Sequence, residues 1–183
     1  MKKVAVIVGS LQKNSFNRKT AKALIALAPK SLSLEIVEIG QLQMYNQDLD
    51  ATPPAEWTAF REKIKGSDGV LFVTPEYNRS FPAVLKNALD VASRPYGQNV
   101  WDGKPGAVIS VSPGAFGGFG ANHHLRQVLM FLNVPAMQQP EAYIGSAMNL
   151  FDEKGDLVNE STAAFLRDFM AAYAVWMEKL TGK

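Results

Sequence analysis

Val4-Ala5-Val6-Ile7-Val8-Gly9-Ser10-Leu11-Gln12-Lys13-Asn14-Ser15-Phe16-Asn17 decides the fold of this chain. Val4 to Val8 is an unbroken run of small and β-branched apolar residues, without the alternation of a half-exposed strand. Such a run suits a central parallel strand covered on both faces. Gly9 ends it, a loop of hydroxyls and amides follows, and Ala21, Leu24, Ile25 and Ala28 then recur at helical spacing. A strand, a polar loop and a helix start together make a place to hold an anion. Loop N–H groups and the first helical turn offer unpaired donors, and the helix dipole adds partial positive charge. Ser10, Asn14, Ser15 and Asn17 add side-chain donors, and Lys13, Arg18 and Lys19 add basic charge. No acidic residue lies between Gly9 and Lys19. The stretch reads as a phosphate cradle.

What is missing narrows the phosphate. A P-loop needs Gly-x-x-x-x-Gly-Lys-Ser/Thr, but Asn14 and Ser15 stand where its Gly and Lys belong, and a dinucleotide fingerprint needs three spaced glycines where only Gly9 is present. Coordination by hydroxyls, with no invariant lysine and no obvious metal ligand, suits a phosphate monoester such as that of FMN. Ser15 or Asn17 also serves to cap the following helix, but capping alone does not account for four polar donors in this loop.

At 183 residues the chain suits one domain, taken as 1–183, and its composition (47% hydrophobic, 20% charged) is globular. A net charge of +2, from basic residues spread along the sequence, does not suggest a nucleic-acid partner. With no cysteine, disulfides, thiol catalysis and cysteine-held metals are excluded. The lysines at 2 and 3 run straight into the strand, no signal-peptide pattern or membrane-length apolar run follows, and a soluble cytoplasmic protein with no membrane partner is expected.

Working outward from the first strand, Leu34 to Ile39 alternates enough for a second strand nearer the sheet edge. Residues 40–55 form a long polar loop, and Trp57, Phe60 and Ile64 mark a helix over 56–65 that Gly66 stops. Val70 to Thr74 is another fully apolar strand, and 82–93 a helix apolar most of the way round, which implies burial by core and partner alike. A fourth strand over 106–112, a glycine-rich loop, a helix over 121–132, a short strand over 141–144 and a last helix over 161–180 complete the chain. The last helix's Phe165, Leu166, Phe169, Met170, Tyr173, Val175, Trp176 and Leu180 are expected to be core. Five strands alternating with helices predict an α/β, three-layer open parallel sheet. Ligands of such sheets sit beyond the carboxyl ends of strands at a switch point, where loops 9–17, 75–81 and 112–120 qualify.

The second of these loops, Pro75-Glu76-Tyr77-Asn78-Arg79-Ser80-Phe81-Pro82, has two prolines to fix its backbone and a row of groups to present to a flat heteroaromatic edge. Together with Gly9-Ser10-Leu11-x-Lys13-x-Ser15-x-Asn17, Leu85-Lys86-Asn87-Ala88-x-Asp90 and Ser93-Arg94, it resembles the NADPH-dependent FMN reductase family. The resemblance runs from the first strand beyond residue 130 and is strongest to the bacterial chromate and quinone reductases.

That resemblance implies a flavodoxin-like fold with five parallel strands, bound FMN, and NADPH or NADH as co-substrate. Gly9, Ser10, Leu11, Gln12, Lys13, Ser15, Phe16 and Asn17 would bind the FMN phosphate. Pro75, Glu76, Tyr77 and Asn78 would lie along the isoalloxazine, and Val111, Ser112 and Gly114 on the other side of the flavin. Gln12 stands where the family commonly has arginine, which lowers the charge offered to the phosphate. The implied reaction is ping-pong: NAD(P)H passes a hydride to the flavin, and a quinone-like acceptor, secondarily chromate or other oxidants, takes the electrons. No side chain need act as acid or base, and no metal is called for. Arg79, Arg94 and Lys104 are candidates for the NADPH 2′-phosphate or an anionic acceptor. A homodimer, or a tetramer built from dimers, is also implied. The alternative is a flavodoxin-like electron carrier that does not turn over pyridine nucleotide; carriers are commonly strongly acidic, unlike this chain.

Three other features are given blander roles. His123 and His124, adjacent on a helix, point about 100° apart and cannot easily share an ion, so a place near the flavin or a subunit contact is expected. Gly114-Ala115-Phe116-Gly117-Gly118-Phe119-Gly120 is read as a flexible flap. Glu76 is read as a lone surface carboxylate whose charge is not needed.

Overall fold

In the computed structural model, residues 1–182 are described; Lys183, the last residue of the expected domain, lies outside them. Five parallel strands, β1 (Lys2–Val8), β2 (Leu32–Val37), β3 (Gly69–Thr74), β4 (Gly106–Val111) and β5 (Ala142–Ile144), lie in the order β2-β1-β3-β4-β5. The uninterrupted apolar runs of β1, β3 and β4 are the three central strands. Val4 to Val8 is buried throughout, as are all residues of β3 and β4. A strand needs apolar side chains on both faces only if both faces are covered.

Two helical layers cover them. Alternate residues Val4, Val6, Leu71, Val73, Ala107 and Ile109 face a core closed by α1 (Phe16–Leu27) and α5 (Glu160–Thr181). Ala5, Ile7, Val70, Phe72 and Val108 face the opposite core, under α2 (Ala55–Lys65), α3 (Ala83–Ser93) and α4 (Phe119–Phe131). This is the expected three-layer flavodoxin-like arrangement. The connection from β1 leads to β2 on one side, whereas that from β3 leads to β4 on the other, so the order reverses between β1 and β3. A crevice opens at the carboxyl end of the sheet at such a point. No described helix is long and apolar enough to cross a membrane.

Three sequence expectations change. β2 begins and ends two residues earlier than predicted, because its pairing with β1 stops at Ile7↔Val37; Ile39 leaves the sheet to enter the α2–α3 core. In α5 the buried face is Leu166, Phe169, Met170, Tyr173 and Met177, while Val175 and Leu180 lie off it, 52% and 44% exposed. In α3 the outer face is not apolar: Ala83 is exposed, Val84 half-buried, and Lys86 pairs with Asp90 at 2.7 Å. The apolar outer surface belongs to α4 instead, where Phe119, Met130 and Phe131 are 51%, 76% and 85% exposed.

Candidate functional site

The three expected loops meet at the carboxyl ends of β1, β3 and β4. In the first, Ser15 accepts the Arg18 N–H on its Oγ at 3.2 Å and caps α1, and its own N–H donates to Gln12 O at 3.2 Å. Among the described residues, the N–H groups of Ser10 through Asn14, Phe16 and Asn17 meet no backbone acceptor. These are the unpaired donors expected of a loop leading into a helix. Ser10 and Asn17 are buried, 5% and 4% exposed. Asn17 donates from Nδ2 to Val111 O at 3.5 Å, tying α1 to the end of β4, while its Oδ1 is buried without a partner. A buried, unpaired acceptor is costly unless a ligand or water supplies the donor. Phe16 departs from expectation: its ring stacks on Phe151 at 6.3 Å between centroids, so the loop gains only its main chain.

The second loop is a tight hairpin. Tyr77 and Ser80 exchange both backbone hydrogen bonds, 2.8 and 3.0 Å, across Asn78 (φ 51°) and Arg79 (φ 66°). Two left-handed central residues define a type I′ turn, in which Asn is favoured. Pro75 and Pro82 bracket it, leaving the N–H groups of Glu76 and Asn78 without backbone acceptors among the described residues. Glu76 is not the idle surface group expected. Its carboxylate is largely buried and its Oε2 accepts the Ala121 N–H at 3.0 Å in the first turn of α4, with Arg79 Nη1 3.3 Å from Oε1. A carboxylate there complements the helix dipole. A Cβ on Gly120 would sit 3.0 Å from Glu76 Oε2 and 3.1 Å from Arg79 O, so the loop and helix meet closely there.

The third loop is pinned rather than flexible, which corrects the flap reading. Ser112 N–H donates to Ile144 O (2.9 Å), Gly117 N–H to Gly114 O (3.3 Å), and Ser146 N–H to Gly114 O (3.3 Å). Gly117 (φ 60°) needs its freedom for packing: a Cβ would come within 2.6 Å of the Tyr143 carbonyl carbon. What stays open is the exposed tip Gly114-Ala115-Phe116. Beneath it Asn122 donates from Nδ2 to Ser110 Oγ and Ala142 O, both at 3.2 Å, and accepts Arg126 Nε on Oδ1 at 2.9 Å. The two histidines part company, as their helical positions require. His123 Nε2 lies 2.8 Å from Tyr143 OH and His124 Nδ1 2.7 Å from Ser80 Oγ. Burial, reinforced by Glu141, pushes the Tyr143 phenol up to about 12 and keeps it protonated.

Each loop also exposes large apolar surface at its tip: Leu11 (58%), Tyr77 (53%) and Phe116 (76%). Of the three distal basic candidates only Arg79 belongs to these loops. Lys104 sits before β4, at the opposite end of the sheet, where its Nζ donates to Ser67 O at 2.6 Å. Arg94 follows the far end of α3 and lines a groove between α2 and α3. Sequence reasoning missed the support from residues 145–147, whose signal was Gly145-Ser146 directly after a strand, and that from Asn87. Asn87 is buried in α3 and holds the 42–45 segment through Leu42 O (3.2 Å), Gln43 O (3.1 Å) and Tyr45 N (2.8 Å).

Comparison with known proteins fits this geometry. A family model described as NADPH-dependent FMN reductase matches residues 2–149. The chain belongs to the NADPH-dependent FMN reductase family. A quinone reductase of Pseudomonas putida is 62% identical over 176 residues, 96% of this chain and 94% of that one. A 2-hydroxy-1,4-benzoquinone reductase of a Burkholderia species is 51% identical over 175 residues, 96% of both chains. FerB, a flavoenzyme NAD(P)H:(acceptor) oxidoreductase from Paracoccus denitrificans, superposes with a TM-score of 0.92 at 45% identity, covering 98% of both chains. As a member of the family the chain is an oxidoreductase that works with FMN and NAD(P)H. The residues present fit that group, since the free N–H row suits the phosphate and the orphaned Asn17 Oδ1 suits a hydroxyl proton.

Proposed function

We propose that loops 9–17, 75–81 and 112–120 hold FMN, its phosphate at the first loop and its ring along the other two, and that the enzyme reduces quinone-like acceptors with NAD(P)H. The observation that carries this reading is the pairing at Asn17. Beside a row of free donors stands one buried acceptor, Oδ1, which a phosphate dianion cannot satisfy. A sugar-alcohol phosphate answers both, with oxygens for the N–H groups and a hydroxyl proton for Oδ1.

Bound FMN would supply the redox chemistry, a two-electron relay from NAD(P)H to a second substrate in ping-pong order. The chain's own residues bind and orient. Ser10, Ser15 and Asn17 with their neighbours' N–H groups grip the phosphate, and the N–H groups of Glu76 and Asn78 face negative charge at the ring edge. Leu11, Tyr77 and Phe116 offer apolar surface for a flat partner, with little selectivity beyond flatness. The names of the P. putida and Burkholderia relatives support a quinone as that partner; chromate and other oxidants are secondary acceptors.

The exposed Phe119, Met130 and Phe131 of α4, a helix with no Asp, Glu or Lys and a half-buried Arg126, support a homodimer built on that helix, with a dimer of dimers as the larger assembly. We place the enzyme in the cytoplasm, where NAD(P)H is supplied. The test is a visible absorption spectrum, identification of flavin released on denaturation, and steady-state oxidation of NADH and NADPH with a benzoquinone. Bound FMN and turnover above the free-flavin background are expected. FMN without such turnover would make the protein a carrier instead.

A further inference from the structure

A basic groove begins at the first of the three loops and runs on beyond the site they form. Basic residues that look scattered along the sequence gather in space: Lys13, Arg18, Lys19, Lys22, Lys154 and Arg167 line one groove between α1 and α5, with Asp156 the only carboxylate among its walls. Six of the chain's 19 basic residues line it against one of its 17 acidic residues, and among the described residues only Arg18 of the six is ion-paired, with Glu38 beyond the groove's walls. Lys13, Lys22, Lys154 and Arg167 have no ion-pair partner among the described residues. Lys19 is held in place, its Nζ 5.5 Å from the Phe16 ring centroid and 5.8 Å from that of Phe151, its stem against Gly155. The floor is apolar, from Ala23, Leu27 and Leu157. A volume of about 540 Å³ is that of a small-molecule site. The groove runs about 18 Å along α1, at 1.5 Å per residue from Ser15 to Leu27.

One end of this groove is the phosphate loop itself, since Lys13, Asn14 and Ser15 line both. A ligand whose first phosphate rests on the loop therefore finds, immediately beyond it, cations for a second phosphate and then an apolar floor for a flat heterocycle. We propose that the α1–α5 groove receives the adenylate half of FAD, so that the protein accepts the dinucleotide as well as FMN. The proposal rests on the flavin reading of the three loops and extends it. Lys22, Lys154 and Arg167 act on the second phosphate and adenosine alone, because none of them lies in the phosphate loop.

The test equilibrates the FMN-loaded protein with equal concentrations of FMN and FAD, removes free flavin, and quantifies what denaturation releases. FAD is expected at a ratio within about tenfold of FMN. The triple variant Lys22→Gln, Lys154→Gln, Arg167→Gln is expected to shift the ratio toward FMN about tenfold with total flavin unchanged. Raised ionic strength should shift wild type in the same direction and the variant less. All three positions are exposed, and a single Lys154→Glu in the surface turn gives the same reading should the triple variant lose its fold. Wild type that retains FMN alone, or a variant with the wild-type ratio, overturns the groove assignment while leaving the flavin reading intact. A wild-type protein that retains neither flavin overturns the flavin reading, and this proposal with it.

Discussion

Asn17 joins two parts of the site that are far apart in sequence. From the first turn of α1 it reaches Val111 O, 94 residues away, and holds an unpartnered oxygen beside the free amides of the loop. Asn17→Ala is expected to weaken FMN binding by about tenfold to a hundredfold, the loss of one or two hydrogen bonds of about 1–1.5 kcal/mol each. Quenching of flavin fluorescence measures it, and an unchanged affinity would place FMN elsewhere. Glu76 makes a second long connection, to Ala121 N. Glu76→Ala should cost about 0.5–2 kcal/mol of stability as a lost helix cap, seen as a lower unfolding midpoint in denaturant; no change would mean the cap is idle. At this scale the sequence shows residue types but not these partners. The run 9–17 reads as a loop of free donors because strand, loop and helix are contiguous. The work of the Glu76 carboxylate stays hidden because its partner begins a helix that follows another strand.

Among the elements, α5 shows how a helix is fastened. Tyr173 OH lies 2.9 Å from Val70 O and 3.0 Å from Pro105 O, at the amino end of β3 and just before β4. Complete burial holds its phenol far above the ordinary value. A group whose folded pKa is raised contributes stability that is fully present below its unfolded pKa, about 10, and lost as pH rises beyond it. The wild type should therefore lose stability above about pH 10, and Tyr173→Phe should show a shallower decline there while being about 1–2 kcal/mol less stable at neutral pH. Equilibrium unfolding across pH measures both, and parallel curves would refute the assignment. The central strands were legible because a strand buried on both faces has one simple pattern. Which helix keeps apolar residues outside was not: α3 turns its apolar residues to the core and pairs Lys86 with Asp90, while α4 leaves Phe131 in solvent. The glycines of loop 112–120 were ambiguous for a similar reason. Composition cannot distinguish a chain that bends from one that is pressed against a neighbour, and Gly117 is pressed against Tyr143.

For the whole molecule, the exposed apolar face of α4 is the surface proposed for self-association. Phe131→Glu, at a position 85% exposed and so harmless to the monomer's fold, should convert a species with the mass of two or four chains into one with the mass of a single chain by light scattering. A wild type that already scatters as a monomer would end the dimer reading. The distribution of charge is also a property of this scale. A net +2 says nothing of a groove holding six cations, because only the folded packing of α1 beside α5 brings residues 13–22 against 154 and 167.

The contact between Glu76 and α4 has a thermodynamic consequence. One carboxylate is shared between the loop proposed to lie along the flavin and the helix proposed to meet a second copy. A flavin that rigidifies the first should rigidify the second, so cofactor occupancy and self-association are expected to be linked quantities, each strengthening the other by the same factor. Diluting the holoprotein should loosen its flavin, and stripping the flavin should loosen its dimer to an equal degree. Sedimentation with and without FMN measures the factor, and a value of one would show that the shared carboxylate transmits nothing.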